Sequence, residues 1–364
     1  MKPLNLAENI PLALQTTLGV GGAARYFLEA STPEEVCEGV SWARSRCLPW
    51  FILGGGSNLV VADSGFPGLV LRLGIRGISW ADDGLEVLFT AGAGEDWDSF
   101  VAHTVAYGGA GLECLSGIPG TVGAAPVQNI GAYGQEAGRA IRRVELLDTE
   151  TGAVETFERE RCAFGYRTSL FKTAARGRYV ILRVVFALIP RGTPCLAYAD
   201  LQKYFAGRLP TLQQTRDAVR EIRRRKGMLL VEDDSDCRSA GSFFKNPLLR
   251  AGQLAELQRR LAVRNLSIPS YPSLPPQQAK DRAWRGPREA QHKVPAAWLI
   301  EQAGFAKGHT LGRVALSRKH ALAIVNRGGA TAAEVIALKD AIQDAVQEQF
   351  GIALEPEPVF LGFE

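Results

Sequence analysis

SGIPGTVGAAPVQNIGAYGQE, residues Ser116–Glu136, decides how the chain is read, because its composition suits neither a helix nor a strand. Glycines at 117, 120, 123, 131 and 134, with Ala124 and Ala125, keep the path free of bulk, while Pro119 and Pro126 stiffen it. A loop of this kind leaves main-chain N–H groups in need of acceptors. Phosphate oxygens suit them, since glycine permits close approach and N–H dipoles converge on an anion. The stretch is therefore either a pyrophosphate cradle or a Gly/Pro-rich structural turn. Its length, and Gln128, Asn129 and Tyr133 toward its end, supply groups that hydrogen-bond to or stack on a ligand.

Upstream, the apolar run Trp50-Phe51-Ile52-Leu53 enters Gly54-Gly55-Gly56-Ser57-Asn58 and is followed by Leu59-Val60-Val61 and Leu69-Val70-Leu71. Strand, glycine turn, strand is a second phosphate-approach geometry. Thr32-Pro33-Glu34-Glu35 is a capping box with proline at the first helical position, predicting a helix to about Arg44. Gly19, Gly21 and Ala24 form a superficial GxGxxA that follows no strand and opens no amphipathic helix, so no dinucleotide fingerprint is assigned there.

Downstream, helical spacing runs from Glu95 to Tyr107, and Arg143–Leu147 with Val154–Phe157 reads as a hairpin. Tyr179–Leu188 is a β-branched strand, and helices are predicted at Leu212–Lys226, Ala251–Val263 and Pro295–Gln302. His320–Asn326 reads as a short apolar strand. A second capping box at Thr331–Glu334 launches a helix striped by Val335, Leu338, Ile342 and Val346. Residues 266–293 are rich in proline and charge and read as a surface insertion or loop.

The 364 residues exceed what one core usually holds, so two or three domains are expected. A net charge of +4 is too diffuse to indicate nucleic acid, and the basic run Arg220–Lys226 reads as the solvated face of a helix. Six scattered cysteines with no CxxC pair predict neither a zinc site nor a disulfide framework, and suit a reducing cytoplasm. No apolar run approaches the ~18 residues a membrane span needs, and the N-terminus lacks a cleavage pattern.

Three spots pair reactive groups with constrained backbone. Ser242, in Ser239–Pro247 (SAGSFFKNP), is either a proton donor shielded by aromatic walls or a backbone-capping hydroxyl. Arg167, after Tyr166, offers a guanidinium fork to a carboxylate or phosphate, or an ordinary ion pair. Glu357, between two prolines in an apolar context, either has a task or pairs with a nearby cation. No histidine is assigned a catalytic role.

ILGGGSNLVV, IPGTVGAAPVQNIGAYGQE, YRTSLFK, AGSFFKNP, AAWLIEQAGF and LEPEPVFLGF, in this order, resemble the signature blocks of the UDP-N-acetylenolpyruvoylglucosamine reductase family across nearly the whole chain. The resemblance implies an α+β protein: a two-part FAD-binding domain of the vanillyl-alcohol-oxidase type, then a C-terminal α/β domain for a UDP-sugar. The implied boundaries are 1–75 (with a returning strand at 358–364), 76–226 and 227–357, the last carrying the proline-rich insertion. It implies Arg167, Ser242 and Glu357 as catalytic residues. FAD would be held by Gly54, Gly55, Gly56, Ser57, Asn58, Ser116, Pro119, Gly120, Gly123, Asn129, Gly131, Ala132 and Tyr166.

On the substrate side the implied contacts are Tyr198, which looks like the tyrosine that longer members fold over the substrate, with Lys226, Lys245, Asn246 and His320. FAD is expected to be non-covalent, because the 54–58 loop offers no tethering histidine, and NADPH is the expected co-substrate. No metal, nucleic acid or membrane partner is expected, and the chain is expected to be a cytoplasmic monomer in peptidoglycan precursor synthesis. The sequence departs from the family where RVALSRKH replaces a common Gly-Gly-Ala-Ala-Val-His run.

Overall fold

A computed structural model describes residues 4–232, 234–263, 265–273 and 291–363, so most of the 266–293 insertion lies outside the described residues. These form two compact units. The first comprises the described parts of Met1–Gln15, Gly22–Ser57 and Ser64–Glu232; the second comprises those of Thr16–Gly21, Asn58–Asp63 and Asp233–Glu364.

Among the described residues, the first unit holds two larger sheets and a two-stranded hairpin, Gly131–Ala132 with Gln135–Glu136. One has strands in the order Ala7–Pro11, Ala23–Ala30, Phe66–Leu73 and Trp50–Leu53. Its outer hairpin-like pair is antiparallel, with Ala7 opposite Phe27, and the other two pairings are parallel. The predicted helix forms at Pro33–Ser45, where Thr32 accepts from Glu35 N at 3.2 Å. Its Val36, Val40 and Ala43 bury against Leu28, Leu69 and Leu71. Gly39 lets the helix lie close, since a Cβ there would come within 2.6 Å of Leu28 Cδ2.

The other sheet is antiparallel and runs Val154–Glu158, Ile141–Asp148, Tyr179–Pro190, Val87–Gly92, Ile78–Asp82, with Gly109–Ala110 also pairing to the long Tyr179–Pro190 strand. The helix Trp97–Tyr107, capped by Asp96, packs Trp97, Phe100 and Val101 against Phe89 and Phe186. Trp97 settles its one polar atom by donating to Leu115 O at 3.0 Å, which fixes the helix beside the start of the glycine loop.

In the second unit the helix Ala332–Phe350 begins at the predicted capping box, and Val335, Leu338, Ile342 and Val346 are fully buried. Asp63 adds to that cap, taking Ala332 N at 2.8 Å and Ala333 N at 3.0 Å. The helices Ala251–Ala262 and Ala296–Gln302 share its core with Phe243 and Phe244. The returning strand Val359–Leu361 pairs in parallel with Leu59–Val61.

One expected strand is shorter than the pattern suggested. Only Ile324–Asn326 is extended, because the Ser317 hydroxyl accepts from the N–H groups of Lys319 (3.0 Å) and His320 (3.3 Å) and closes a turn there. The basic run is a second correction. Arg223 is 5% exposed and points inward rather than to solvent, while Arg216, one turn before the run, is 8% exposed. Arg216, Arg220 and Arg223 share one helical face turned toward Asp98 and Gly117, with Arg220 37% exposed, while Arg224 and Arg225 face solvent as expected.

Candidate active site

The two glycine loops meet back to back in the first unit. A Cβ on Gly55 would stand 2.7 Å from Gly120 Cα, and one on Gly54 would stand 2.9 Å from Thr121 Oγ1. Only glycine permits that approach. The Ser57 hydroxyl donates to Pro119 O at 2.8 Å and ties the loops together, and Gly120 adopts φ 134°, open to few other residues. Gly123 has no room for a side chain, since its Cβ would reach 2.5 Å from Ala93 Cβ. Ser116 is buried, its hydroxyl donating to Glu113 O at 2.6 Å. Among the described residues, no acceptor takes the main-chain N–H of Gly55 or Gly56, and the buried Thr121 Oγ1 has no hydrogen-bond partner. A glycine-lined wall with N–H donors left over suits a diphosphate.

The later half of the loop is shaped from within. Gly131–Ala132 pairs with Gln135–Glu136 around Tyr133 and Gly134, which both have positive φ (47° and 88°), the requirement of a type I′ hairpin turn. Asn129 is itself left-handed (φ 48°) and nearly fully buried. Its amide donates to Gly165 O and accepts from Gly138 N, both at 2.8 Å, joining this loop to the turn that carries Tyr166 and Arg167. Arg167 is left-handed too (φ 54°), and its Nη1 lies 3.3 Å from where a Cβ on Gly131 would stand. Gly131 thus leaves the guanidinium its place.

Behind the loop lies the inward-facing arginine set, which the sequence reading missed. Asp98 accepts from Gly117 N at 2.6 Å and from Arg216 at 2.5 Å, and also pairs with Arg220. Arg223 donates to Gly117 O at 3.0 Å and Met228 O at 2.7 Å. Burial pushes the Asp98 carboxyl up, but the Arg216 and Gly117 hydrogen bonds and the arginine charges outweigh it and hold it below the ordinary aspartate range. Its ionised form therefore stabilises the fold above the unfolded value of about 3.9, and that stability is lost as pH falls through the lower folded value. Asp98→Asn is expected to cost about 2 kcal/mol at neutral pH, less than for a fully buried pair because Asp98 is 22% exposed. Urea unfolding at falling pH should show the gap to the unsubstituted protein closing.

Glu113, also missed, is fully buried and accepts from Gly111 N, Gln135 Nε2 and Cys195 N, each at 2.8 Å. It ties the glycine loop to the segment leading to Tyr198. Tyr198 is 44% exposed and stands edge-on to Tyr133, with 5.4 Å between ring centres. Lys226 donates to Asp200 at 2.6 Å. Burial alone would lower the Lys226 ammonium, but Asp200 and Tyr133 raise it above the ordinary lysine value.

In the second unit, the segments that carry Ser242 and Glu357 come from distant sequence and pair through the backbone of Phe243 and Phe244. Phe244 bridges to Pro356, Glu357 N donates to Phe243 O at 2.9 Å, and Phe243 N donates to Leu322 O at 2.7 Å. Glu357 is only 9% exposed, and its carbonyl accepts from Asn58 Nδ2 at 3.3 Å. Lys245 pairs with Glu355, and Asn246 Oδ1 accepts from Ala296 N at 2.9 Å, capping the helix Ala296–Gln302. His320 sits in the Ser317 turn, which Asp236 holds by accepting from Ser317 Oγ at 3.1 Å and Arg318 N at 2.9 Å. Among the described residues, no group of three or more His, Cys, Asp or Glu could hold a metal ion, and no helix is long and apolar enough to cross a membrane.

A family model described as UDP-N-acetylenolpyruvoylglucosamine reductase, C-terminal domain, matches residues 233–361, and one described as FAD binding domain matches residues 24–158. The UDP-N-acetylenolpyruvoylglucosamine reductase of Thermobifida fusca (strain YX) is 42% identical over 366 residues, covering 98% of each chain. The chain belongs to the UDP-N-acetylenolpyruvoylglucosamine reductase family. The reductase of Saccharopolyspora erythraea is 43% identical, with 96% of this chain and 94% of that one aligned. The crystal structure of UDP-N-acetylenolpyruvylglucosamine reductase from Thermus caldophilus superposes with a TM-score of 0.63 at 26% identity, covering 98% of both chains. The protein is thus an FAD-dependent oxidoreductase of this reductase family, with the expected α+β, flavin-binding fold.

Proposed function

We propose that this reductase converts the enolpyruvyl ether of UDP-N-acetylglucosamine to UDP-N-acetylmuramate with NADPH as electron donor, as a cytoplasmic monomer in peptidoglycan precursor synthesis. The observation that carries the reading is full-length similarity to reductases of that name; the roles of Arg167, Ser242 and Glu357 are part of the proposal. When bound, FAD would supply the hydride chemistry that links the nicotinamide to the enol. Its diphosphate and ribityl chain are assigned to the donors of Gly54, Gly55, Gly56, Ser57 and Asn58 and to Ser116, Pro119, Gly120 and Gly123, with Asn129, Gly131, Ala132 and Tyr166 shaping the adjoining wall.

Adding a hydride to the terminal carbon of the enol places negative charge on C2 and its carboxylate. Arg167 offers a planar fork to that carboxylate, and Glu357 orients the reacting group. Ser242 delivers a proton to C2 from one face, which completes the addition across the double bond and sets the lactyl configuration. Each such donor is worth roughly 3 to 4 kcal/mol where water is excluded. Tyr198, Lys226, Lys245, Asn246 and His320 are assigned to the UDP-sugar. The purified chain should carry a flavin spectrum and, beyond the NADPH that reduces its own flavin in the absence of oxygen, oxidise NADPH only when the UDP-enolpyruvyl sugar is supplied. A colourless protein, or NADPH oxidation indifferent to that sugar, would refute the assignment.

A further inference from the structure

Lys226 caps the helix Leu212–Arg225, and its ammonium is already engaged: it donates to Asp200 Oδ2 at 2.6 Å and lies 5.8 Å from the centre of the Tyr133 ring. Asp200 stands in the first turn of the short helix Ala199–Phe205, which begins immediately after Tyr198. One carboxylate therefore ties the cation to the element that bears Tyr198. The pair is accessible, with the Lys226 and Asp200 side chains 36% and 40% exposed, so an incoming anion reaches it. Among the described residues, no second cation pairs with Asp200.

A diphosphate and a carboxylate brought to one ammonium repel each other, and a compact point charge cannot satisfy both at full strength. We propose that Asp200 is a built-in competitor for the diphosphate: it occupies Lys226 in the ligand-free protein, and a nucleoside diphosphate displaces it, while Leu201 and Phe205 keep the helix Ala199–Phe205 packed on Val219 and Ile222. The inference rests on the assignment of Lys226 to the UDP diphosphate. Asp200 is then a positioning residue that holds the Lys226 ammonium and lowers affinity for the nucleotide. Its loss strengthens binding, which a residue needed only for folding would not do.

The test is calorimetric titration of the FAD-loaded, full-length protein with UDP alone. Asp200→Asn is expected to bind UDP roughly three- to fivefold more tightly, in keeping with release of a half-exposed ion pair. Asp200→Ala is expected to shift affinity in the same direction. Lys226→Met should weaken UDP binding, and adding Asp200→Asn to it should change nothing more. If both Asp200 variants keep the flavin spectrum and bind UDP no more tightly than the parent while Lys226→Met weakens it, the competitor role is overturned and the Lys226 assignment stands. If Lys226→Met leaves UDP affinity unchanged, the assignment falls and the inference with it.

Discussion

Ser242→Ala is expected to leave reduction of bound FAD by NADPH intact while lowering turnover of the enol ether ~100-fold or more. The segment should survive the change, because the neighbouring backbone is held independently of the hydroxyl, through Phe243 N to Leu322 O and Glu357 N to Phe243 O. The two half-reactions then separate cleanly. Rapid-mixing measurement of flavin bleaching by NADPH reports the first, and reoxidation by the UDP-enolpyruvyl sugar reports the second. A variant slowed equally in both would point to damaged flavin binding, and one slowed in neither would remove the serine from the chemistry.

The second large effect concerns the cradle. Gly55→Ala places a methyl group 2.7 Å from Gly120 Cα, against main chain that cannot rotate away. Forcing the loops apart is expected to cost about 2 to 3 kcal/mol and to yield protein that loses FAD on gel filtration. Gly252→Ala is the matching control, because a Cβ there meets nothing within 4 Å and the residue lies in the helix Ala251–Ala262. That variant should gain up to ~1 kcal/mol. Urea unfolding with flavin absorbance as a second readout distinguishes the two; a Gly55→Ala protein that keeps FAD and stability would show that the loops do not need to touch.

The elements legible in the sequence are those with a local cause. Thr32 and Thr331 announce their helices because an N-cap side chain and the main-chain N–H that donates to it lie three residues apart, and both bonds form. The glycine loops are legible because close approach leaves a mark in composition. The inward arginines are not, since Arg216 and Arg220 find Asp98 more than a hundred residues away and a charged run otherwise signals solvent. Only the shared face of 216, 220 and 223, read together with a buried acid elsewhere, offered a clue. Glu113 was equally hidden, because a carboxylate satisfied by main-chain N–H groups looks in sequence like any surface acid. Asn129 and Asn246 read as ligand contacts, yet each also braces backbone of this chain, at Gly138 and Ala296, through partners that no local pattern reveals.

The most direct test of the whole account is a single turnover in the absence of oxygen. The yellow protein is reduced with one equivalent of NADPH, freed of nucleotide and mixed with the UDP-enolpyruvyl sugar in deuterated water. The account predicts that the flavin colour returns and that one UDP-N-acetylmuramate forms per chain, carrying deuterium at C2 of its lactyl group. A flavin that stays bleached, or a product without deuterium at that carbon, would contradict it.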